Sequence, residues 1–257
     1  MKSYIAIALL AVPGLLAASP QSAVVVVPVA DVWSRPLAAG EKPADELRET
    51  QVFFGEQVLI HESSGTWARI EAIEQPTFRQ HSKWEGYPGW ILKENLGEKV
   101  DYNNQPIWIG RLRAPTKKPL HKGGQALYAA NTLLGIPYLW GGLSQEGLDC
   151  SGLVHLAYRS EEIRIPRDAH EQWMKAKPIK RAELKPADLI FSAKAENPKK
   201  ITHVTLLVGN GQVIEAPQSG GVVRTLSFKE KYGEELEKVE SGDRVGDRVV
   251  YFGSYLH

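Results

Sequence analysis

Cysteine occurs once in the chain, as Cys150 within Leu148-Asp149-Cys150-Ser151-Gly152-Leu153. A lone cysteine most often behaves as a small buried hydrophobe, so its surroundings must say whether it reacts. Gly141 and Gly142 break the chain ahead of it, Asp149 is a good helix cap, and Cys150, Leu153, Val154 and Ala157 recur at helical spacing. The thiol is therefore predicted in the first turn of a helix. A helix N-terminus favours a thiolate by only about 0.3 to 1 kcal/mol, so a nucleophilic role requires a histidine partner.

Three histidines are candidates for that partner. His155, five residues beyond Cys150, lies nearly opposite it on the helix and reads as structural. His170 lies in a polar stretch and reads as solvated. His203 opens an apolar hairpin, whose rigidity suits a base. A three-residue loop, Gly209-Asn210-Gly211, would pair Val208 with Gln212, Leu206 with Ile214 and Val204 with Ala216, giving one apolar face. That register puts His203, Thr205 and Glu215 on the other face, with Glu215 diagonal to His203 and within reach of its ring. The expected constellation is Cys150 as nucleophile, His203 as base and then acid, and Glu215 holding the imidazole. Its chemistry is acyl transfer to water.

The elements that must position these groups are legible downstream of Gly123. Leu127, Ala130, Leu133 and Leu134 predict a helix stopped by Gly135; the Cys150 helix follows; Ile165-Pro166-Arg167-Asp168 opens a loop. Strand-like runs then occupy 188–193, 203–208, 212–216 and 249–256. Helices first and strands afterwards indicate an α+β domain over residues 122–257.

Residues 23–98 read differently. Short strand-like runs at 24–32, 51–61, 67–73 and 89–92 suggest a small all-β barrel, with a loop between Ile73 and Trp84. Pro28-Val29-Ala30-Asp31-Val32-Trp33, Phe54-Gly55-Glu56, Gly65-Thr66-Trp67 and Gly86-Tyr87-Pro88-Gly89-Trp90-Ile91 resemble a bacterial SH3 domain. Trp67 and Trp90 are expected in its core. Tyr87 and Glu85 are expected at its surface. Residues 99–121, rich in Asn, Pro and Lys, read as a linker with one possible extra strand at 107–112.

The N-terminus, Met1-Lys2-Ser3 followed by an apolar run to Ala18 broken at Pro13-Gly14, reads as a signal peptide over 1–22, with an uncleaved membrane anchor as the alternative. Export to the periplasm or cell envelope is expected, with no integral span once the leader is removed. Composition narrows the partners: 31 basic against 30 acidic residues give no electrostatic case for nucleic acid. No His-x-x-x-His or clustered cysteines occur, so neither metal nor cofactor is expected. The oligomeric state is left open.

With these residues in view a family resemblance becomes specific. Leu148 to Leu153, the preceding Pro137-Tyr138-Leu139-Trp140-Gly141-Gly142, Ile165-Pro166-Arg167-Asp168, Ala187-Asp188-Leu189-Ile190-Phe191 and His203-Val204 resemble the NlpC/P60 cysteine peptidases in order and spacing. With the β module ahead, the whole resembles that family's γ-D-glutamyl-diamino acid endopeptidases. The resemblance implies a papain-like α+β fold and cleavage of peptidoglycan stem peptides or muropeptides between D-Glu and diaminopimelate or Lys. It matches Cys150 and His203 to nucleophile and base. Glu215 departs from the usual third residue, a His. The resemblance also assigns Tyr138, Asp149 and Ser151 to a free N-terminal L-Ala of the substrate, and leans the SH3 domain over the cleft, where Glu85 could meet the same amine. A non-catalytic peptidoglycan-binding protein, or a related thiol amidase or acyltransferase, are the competing readings.

Overall fold

The computed structural model describes residues 19–78, 83–100 and 122–256. Residues 1–18 of the expected leader, and residues 101–121 of the expected linker with its extra strand, lie outside the described residues. Among the described residues no helix is long and apolar enough to cross a membrane.

The first half is a single antiparallel sheet. It comprises β1 (Gln21–Val25), β2 (Val29–Trp33), β3 (Arg48–Phe53), β4 (Gln57–Ser64), β5 (Trp67–Thr77), β6 (Glu85–Leu92) and β7 (Leu96–Gly97), in the order β3-β2-β6-β5-β4-β1-β7. The expected run 24–32 is two strands, because Pro28 has no N–H to give a ladder. The expected loop after Ile73 is instead a continuation of β5 to Thr77, with a register shift between Ala72 and Pro76. Val52 on β3 shares one core with Val25 on β1, Val58, Ile70, Tyr87 and Ile91. The sheet therefore curls on itself, yet among the described residues no pairing joins its end strands, so the expected barrel is not closed. Gly89 is dictated by this curl: a Cβ there would lie 2.4 Å from Val32 Cγ1 and 3.0 Å from the Trp33 carbonyl oxygen.

Two aromatic expectations reverse. Trp67 and Trp90 are only half-buried, whereas Tyr87 is fully buried. Its ring fills the core, and its hydroxyl reaches through to Glu49 at 3.2 Å and Asp168 at 3.1 Å. A tyrosine suits such a place because its body is apolar and its tip is not.

The second half has three helices on one face of a six-stranded path and a short fourth on the other. Helices α1 (Gly124–Thr132) and α2 (Cys150–Ser160) are followed by α3 (Ala169–Lys175) and, late in the chain, α4 (Phe228–Tyr232). The short hairpin β8 (Leu143–Ser144) and β9 (Gly147–Leu148) precedes α2. The sheet strands are β10 (Lys177–Pro178), β11 (Leu189–Lys194), β12 (Ile201–Gly209), β13 (Gln212–Glu215), β14 (Arg224–Ser227) and β16 (Arg248–Ser254), in the order β10-β16-β11-β12-β13-β14, with β15 (Arg244–Val245) paired to β16. Val204, Leu206 and Ile214 face the helices with Leu153, Leu156 and Ala157. Leu207, Val213, Val250 and Phe252 face a second core closed by Phe228 and Leu236. Helix α3 occupies part of the expected loop; its Gln172, fully buried, donates to the carbonyls of Ser151 and Pro166, both at 3.0 Å.

The β12–β13 hairpin keeps the expected central pair, Leu206 with Ile214, but turns differently. Asn210 and Gly211, with φ of 50° and 69°, form a two-residue turn, and Gly209 pairs with Gln212. Positive φ at both turn positions matches strand twist, which is why Asn-Gly favours this turn. A register shift between Leu207 and Gly209 absorbs the odd residue, so the apolar face survives the shorter loop.

The two halves meet through polar groups, several of them buried. Arg159 on α2 pairs with Glu56 and lies 3.4 Å from Glu74, with its guanidinium over the Phe53 ring. Glu171 on α3 accepts from Thr77 Oγ1 and the Phe78 amide, both at 2.9 Å. Gln51 Oε1 accepts from the Leu143 amide at 2.8 Å, and Arg48 donates to the Trp140 carbonyl at 3.2 Å. Burial raises the Glu56 carboxyl against the pull of Arg159. Removing one partner of such a pair costs about 3 to 5 kcal/mol, less where the stranded acid can take a proton. Arg159→Met is therefore expected to lose about 3 kcal/mol in urea unfolding at pH 8. The deficit should narrow toward pH 5, because a buried acid with a raised pKa binds its proton more tightly folded than unfolded.

Candidate active site

Asp149 caps α2 as the sequence indicates, but it does much more. Its Oδ1 accepts from the Gly152 amide at 2.6 Å, Ser151 Oγ at 3.1 Å and Arg167 Nη1 at 2.9 Å. Its Oδ2 accepts from the Gly141 amide at 3.0 Å and Arg167 Nη2 at 2.6 Å. Arg167 is 1% exposed, and its Nε donates to Thr50 Oγ1 of the first half at 2.9 Å. The fork of a guanidinium matches a carboxylate bidentately, so the pair fixes orientation as well as charge. Gly152 is required by the same crowding: a Cβ there would lie 2.4 Å from the Gly142 carbonyl oxygen.

Cys150, at the start of α2, opens on a cleft of about 770 Å³. Tyr138 stands on one wall and His203 with Glu215 on another; Pro217 to Gly221 form a rim. The lowering of the thiol pKa expected from the helix end is outweighed. Burial, then the Asp149 carboxylate, push it up to about 12, against hydrogen bonds from the Val204 and Ser151 backbone and the charge of Arg167. These surroundings favour the protonated thiol over the thiolate.

His203 lines the same cleft. Its Nε2 is 2.9 Å from Glu215 Oε2, and with the carboxylate accepting from Nε2–H the tautomer leaves Nδ1 as the acceptor. Burial, with the charges of Lys231 and Arg248, holds the imidazole below its ordinary value despite Glu215. Glu215 is fully buried and carries more than His203: Arg224 Nε and Nη2 donate to its Oε1 at 3.1 and 2.9 Å, and Lys231 donates to Oε2. Burial alone would raise this carboxyl, but hydrogen bonds from His203 and Lys231 hold it at about 2. Arg224 faces Glu215 because the two are cross-strand partners on β14 and β13; Lys231 comes from α4.

The other expected site residues are placed as follows. Tyr138 is in the cleft, anchored by its amide to the Gly221 carbonyl at 2.8 Å. Asp149 and Ser151 are buried behind Cys150 in the Arg167 network and are not among the residues lining the cleft. Glu85 is half-buried at the start of β6, 3.7 Å from Lys83, and does not line the cleft either. His155 is buried on α2, where burial holds it down at about 3, so it stays neutral. His170, expected in solvent, is half-buried on α3; its Nδ1 accepts from the Ile201 amide at 3.3 Å and its ring lies 5.6 Å from that of Trp173. Among the described residues no group of three or more His, Cys, Asp or Glu side chains could hold a metal ion. Sequence reasoning missed Arg167, Arg224 and Lys231. Only Arg167 carried a signal, as part of Ile165-Pro166-Arg167-Asp168.

A buried thiol at a helix start, sharing a cleft with an imidazole hydrogen-bonded to a carboxylate, belongs to the chemistry of cysteine peptidases, and the chain is an enzyme of that class. Residues 135–239 match the model of the NlpC/P60 family. A γ-D-glutamyl-L-lysine dipeptidyl-peptidase of Bacillus subtilis (strain 168) is 28% identical over 240 residues, covering 75% of this chain and 80% of its own. The murein DD-endopeptidase MepH of Escherichia coli (strain K12) is 44% identical over 149 residues, 54% of this chain and 55% of its own. The crystal structure of an NlpC/P60 family protein from Bacillus cereus ATCC 10987 superposes with a TM-score of 0.70 at 19% identity, over 92% of this chain and all of the other. At that identity the likeness speaks for the fold.

The charges around His203 have a measurable sign. Lys231 opposes protonation of the imidazole, so Lys231→Met leaves Glu215 less balanced and raises the His203 pKa. The acid limb of kcat/KM, and of Cys150 alkylation by iodoacetamide, is expected to move up by about one pH unit. An acid limb that stays in place would refute this account.

Proposed function

We propose that the protein hydrolyses the bond between D-Glu and diaminopimelate, or Lys, in peptidoglycan stem peptides, using Cys150, His203 and Glu215. The observation that carries this reading is the His203–Glu215 hydrogen bond in the cleft that also holds Cys150. The γ-D-glutamyl-L-lysine specificity of the Bacillus subtilis relative supports the γ-D-glutamyl bond, and the murein substrate of the Escherichia coli relative supports action outside the cytoplasm.

In this mechanism Cys150 Sγ attacks the γ-carbonyl carbon of D-Glu as its proton passes to His203 Nδ1. The imidazolium, steadied by Glu215, gives that proton to the departing amine as the C–N bond breaks. Water, deprotonated by His203, then hydrolyses the thioester and restores the thiol. Starting from a neutral thiol and imidazole fits the raised Cys150 and lowered His203.

For the substrate's N-terminal L-Ala we propose Tyr138 as the contact in the cleft. An ammonium approaching Asp149 would have to share a carboxylate that already holds five hydrogen bonds, so Asp149 and Ser151 act chiefly by fixing the helix start. Residues 23–98 are proposed to be a bacterial SH3-like domain and 122–257 the papain-like catalytic domain, after a leader at 1–22 and a linker at 99–121. The seven-stranded sheet with its own core supports the first of these assignments.

Mass spectrometry after incubation with L-Ala-γ-D-Glu-diaminopimelate and its N-acylated form tests the reading. Cleavage before diaminopimelate is expected, and Cys150→Ala should abolish it. A preference for the free-amine peptide would support the Tyr138 contact. Absence of cleavage of either peptide would sink the peptidase assignment in favour of a binding protein.

A further inference from the structure

The basic side chains of the cleft fall into two pairs with different partners. Arg224 and Lys231 are engaged by Glu215. Lys194 and Arg248 also line the cleft, and they lie directly opposite each other on the neighbouring strands β11 and β16. Like charges placed across a strand pair destabilise it. The nearest protein carboxylates answer them weakly: Lys194 Nζ is 3.9 Å from Glu196, 71% exposed, and Arg248 Nε is 3.7 Å from Asp247, 89% exposed. Arg248 also donates to Thr202 Oγ1 at 3.3 Å.

Strand order fixes where this pair stands. His203 is on β12; Glu215 and Arg224 lie to one side of it on β13 and β14, and Tyr138 is tied to that side through Gly221. Lys194 and Arg248 lie on the other side, on β11 and β16. A peptide whose N-terminal part points to Tyr138, with its scissile carbonyl at Cys150, extends its leaving residue toward Lys194 and Arg248.

We propose that Lys194 and Arg248 form a carboxylate subsite for the residue on the leaving side of the scissile bond, selecting peptides in which that residue carries a free carboxylate, as diaminopimelate does. The subsite rests on the peptidase reading for the direction in which the substrate lies. A guanidinium and an ammonium converging on one anion give charge-assisted hydrogen bonds, and the bound carboxylate removes the repulsion across the strands. Asp247, exposed at the rim, is the group the ligand displaces.

The test pairs L-Ala-γ-D-Glu-diaminopimelate with the same peptide carrying both diaminopimelate carboxylates as amides. Calorimetric titration of the Cys150→Ala protein is expected to show the acid peptide binding about tenfold tighter or more. In that background Arg248→Gln or Lys194→Gln should bring the ratio toward one. Lys229→Gln, the same charge change on the exposed side of α4, should preserve it. Equal affinity for the two peptides, or a ratio untouched by both cleft substitutions, would overturn the subsite. Turnover by the enzyme with Cys150 intact is read separately. Discrimination in binding without cleavage keeps the subsite and defeats the peptidase reading; cleavage of both peptides with equal efficiency does the reverse.

Discussion

The buried pairing of Arg167 with Asp149 organises the molecule. An arginine 1% exposed is tolerated only with its donors satisfied, and here they reach Asp149, Ser151, the Gly142 carbonyl and Thr50. Four separate pieces of chain, the first sheet, the glycine break, the helix start and the loop before α3, are thereby held to one point. Stripping such a charge from water is expensive, and the cost is recovered only when the whole shell is in place. The pair also reaches the chemistry: Asp149 discourages ionisation of Cys150, and Arg167 offsets part of that effect.

A second balance is struck at the other end of the cleft. A carboxylate in place of a neutral partner would, by itself, hold His203 as imidazolium and leave it unable to accept a proton. Burial and the charge of Lys231 oppose that pull, while Arg224 holds the carboxylate and the hydrogen bond orients the ring. The departure at Glu215 thus comes with its own compensation, supplied by a cross-strand neighbour and a helix that closes over the sheet. Both balances act in one direction, favouring the neutral form of the thiol and of the imidazole.

Much of this was legible in the sequence because it is written locally. Helical spacing around Cys150, strand alternation around His203 and the short reach from His203 to Glu215 follow from period and turn chemistry alone. The hairpin shows the limit of such reasoning. Counting residues favours a three-residue loop, but Asn210 prefers the tight turn, and the strand accommodates it with a register shift that no pattern announces. The roles of Arg167, Tyr87 and Lys231 were invisible for a different reason. Arg167 and Tyr87 are decided by partners far off in the chain, Thr50 117 residues from Arg167 and Asp168 81 from Tyr87, and Lys231 by a short helix folding back over β13. A lone arginine or tyrosine carries no mark of that.

That long reach bears on when the catalytic centre comes into being. The helix start carrying Cys150 acquires its final hydrogen bonds only after β3 has docked against it, and His203 meets Glu215 only after β12 and β13 have closed. Contacts between such distant segments form slowly, because loop entropy must be overcome before they repay it. A partly folded chain therefore has the cysteine without its capped helix start, and a histidine that nothing orients. Completion of the fold is the step that brings Cys150, His203 and Glu215 into one cleft.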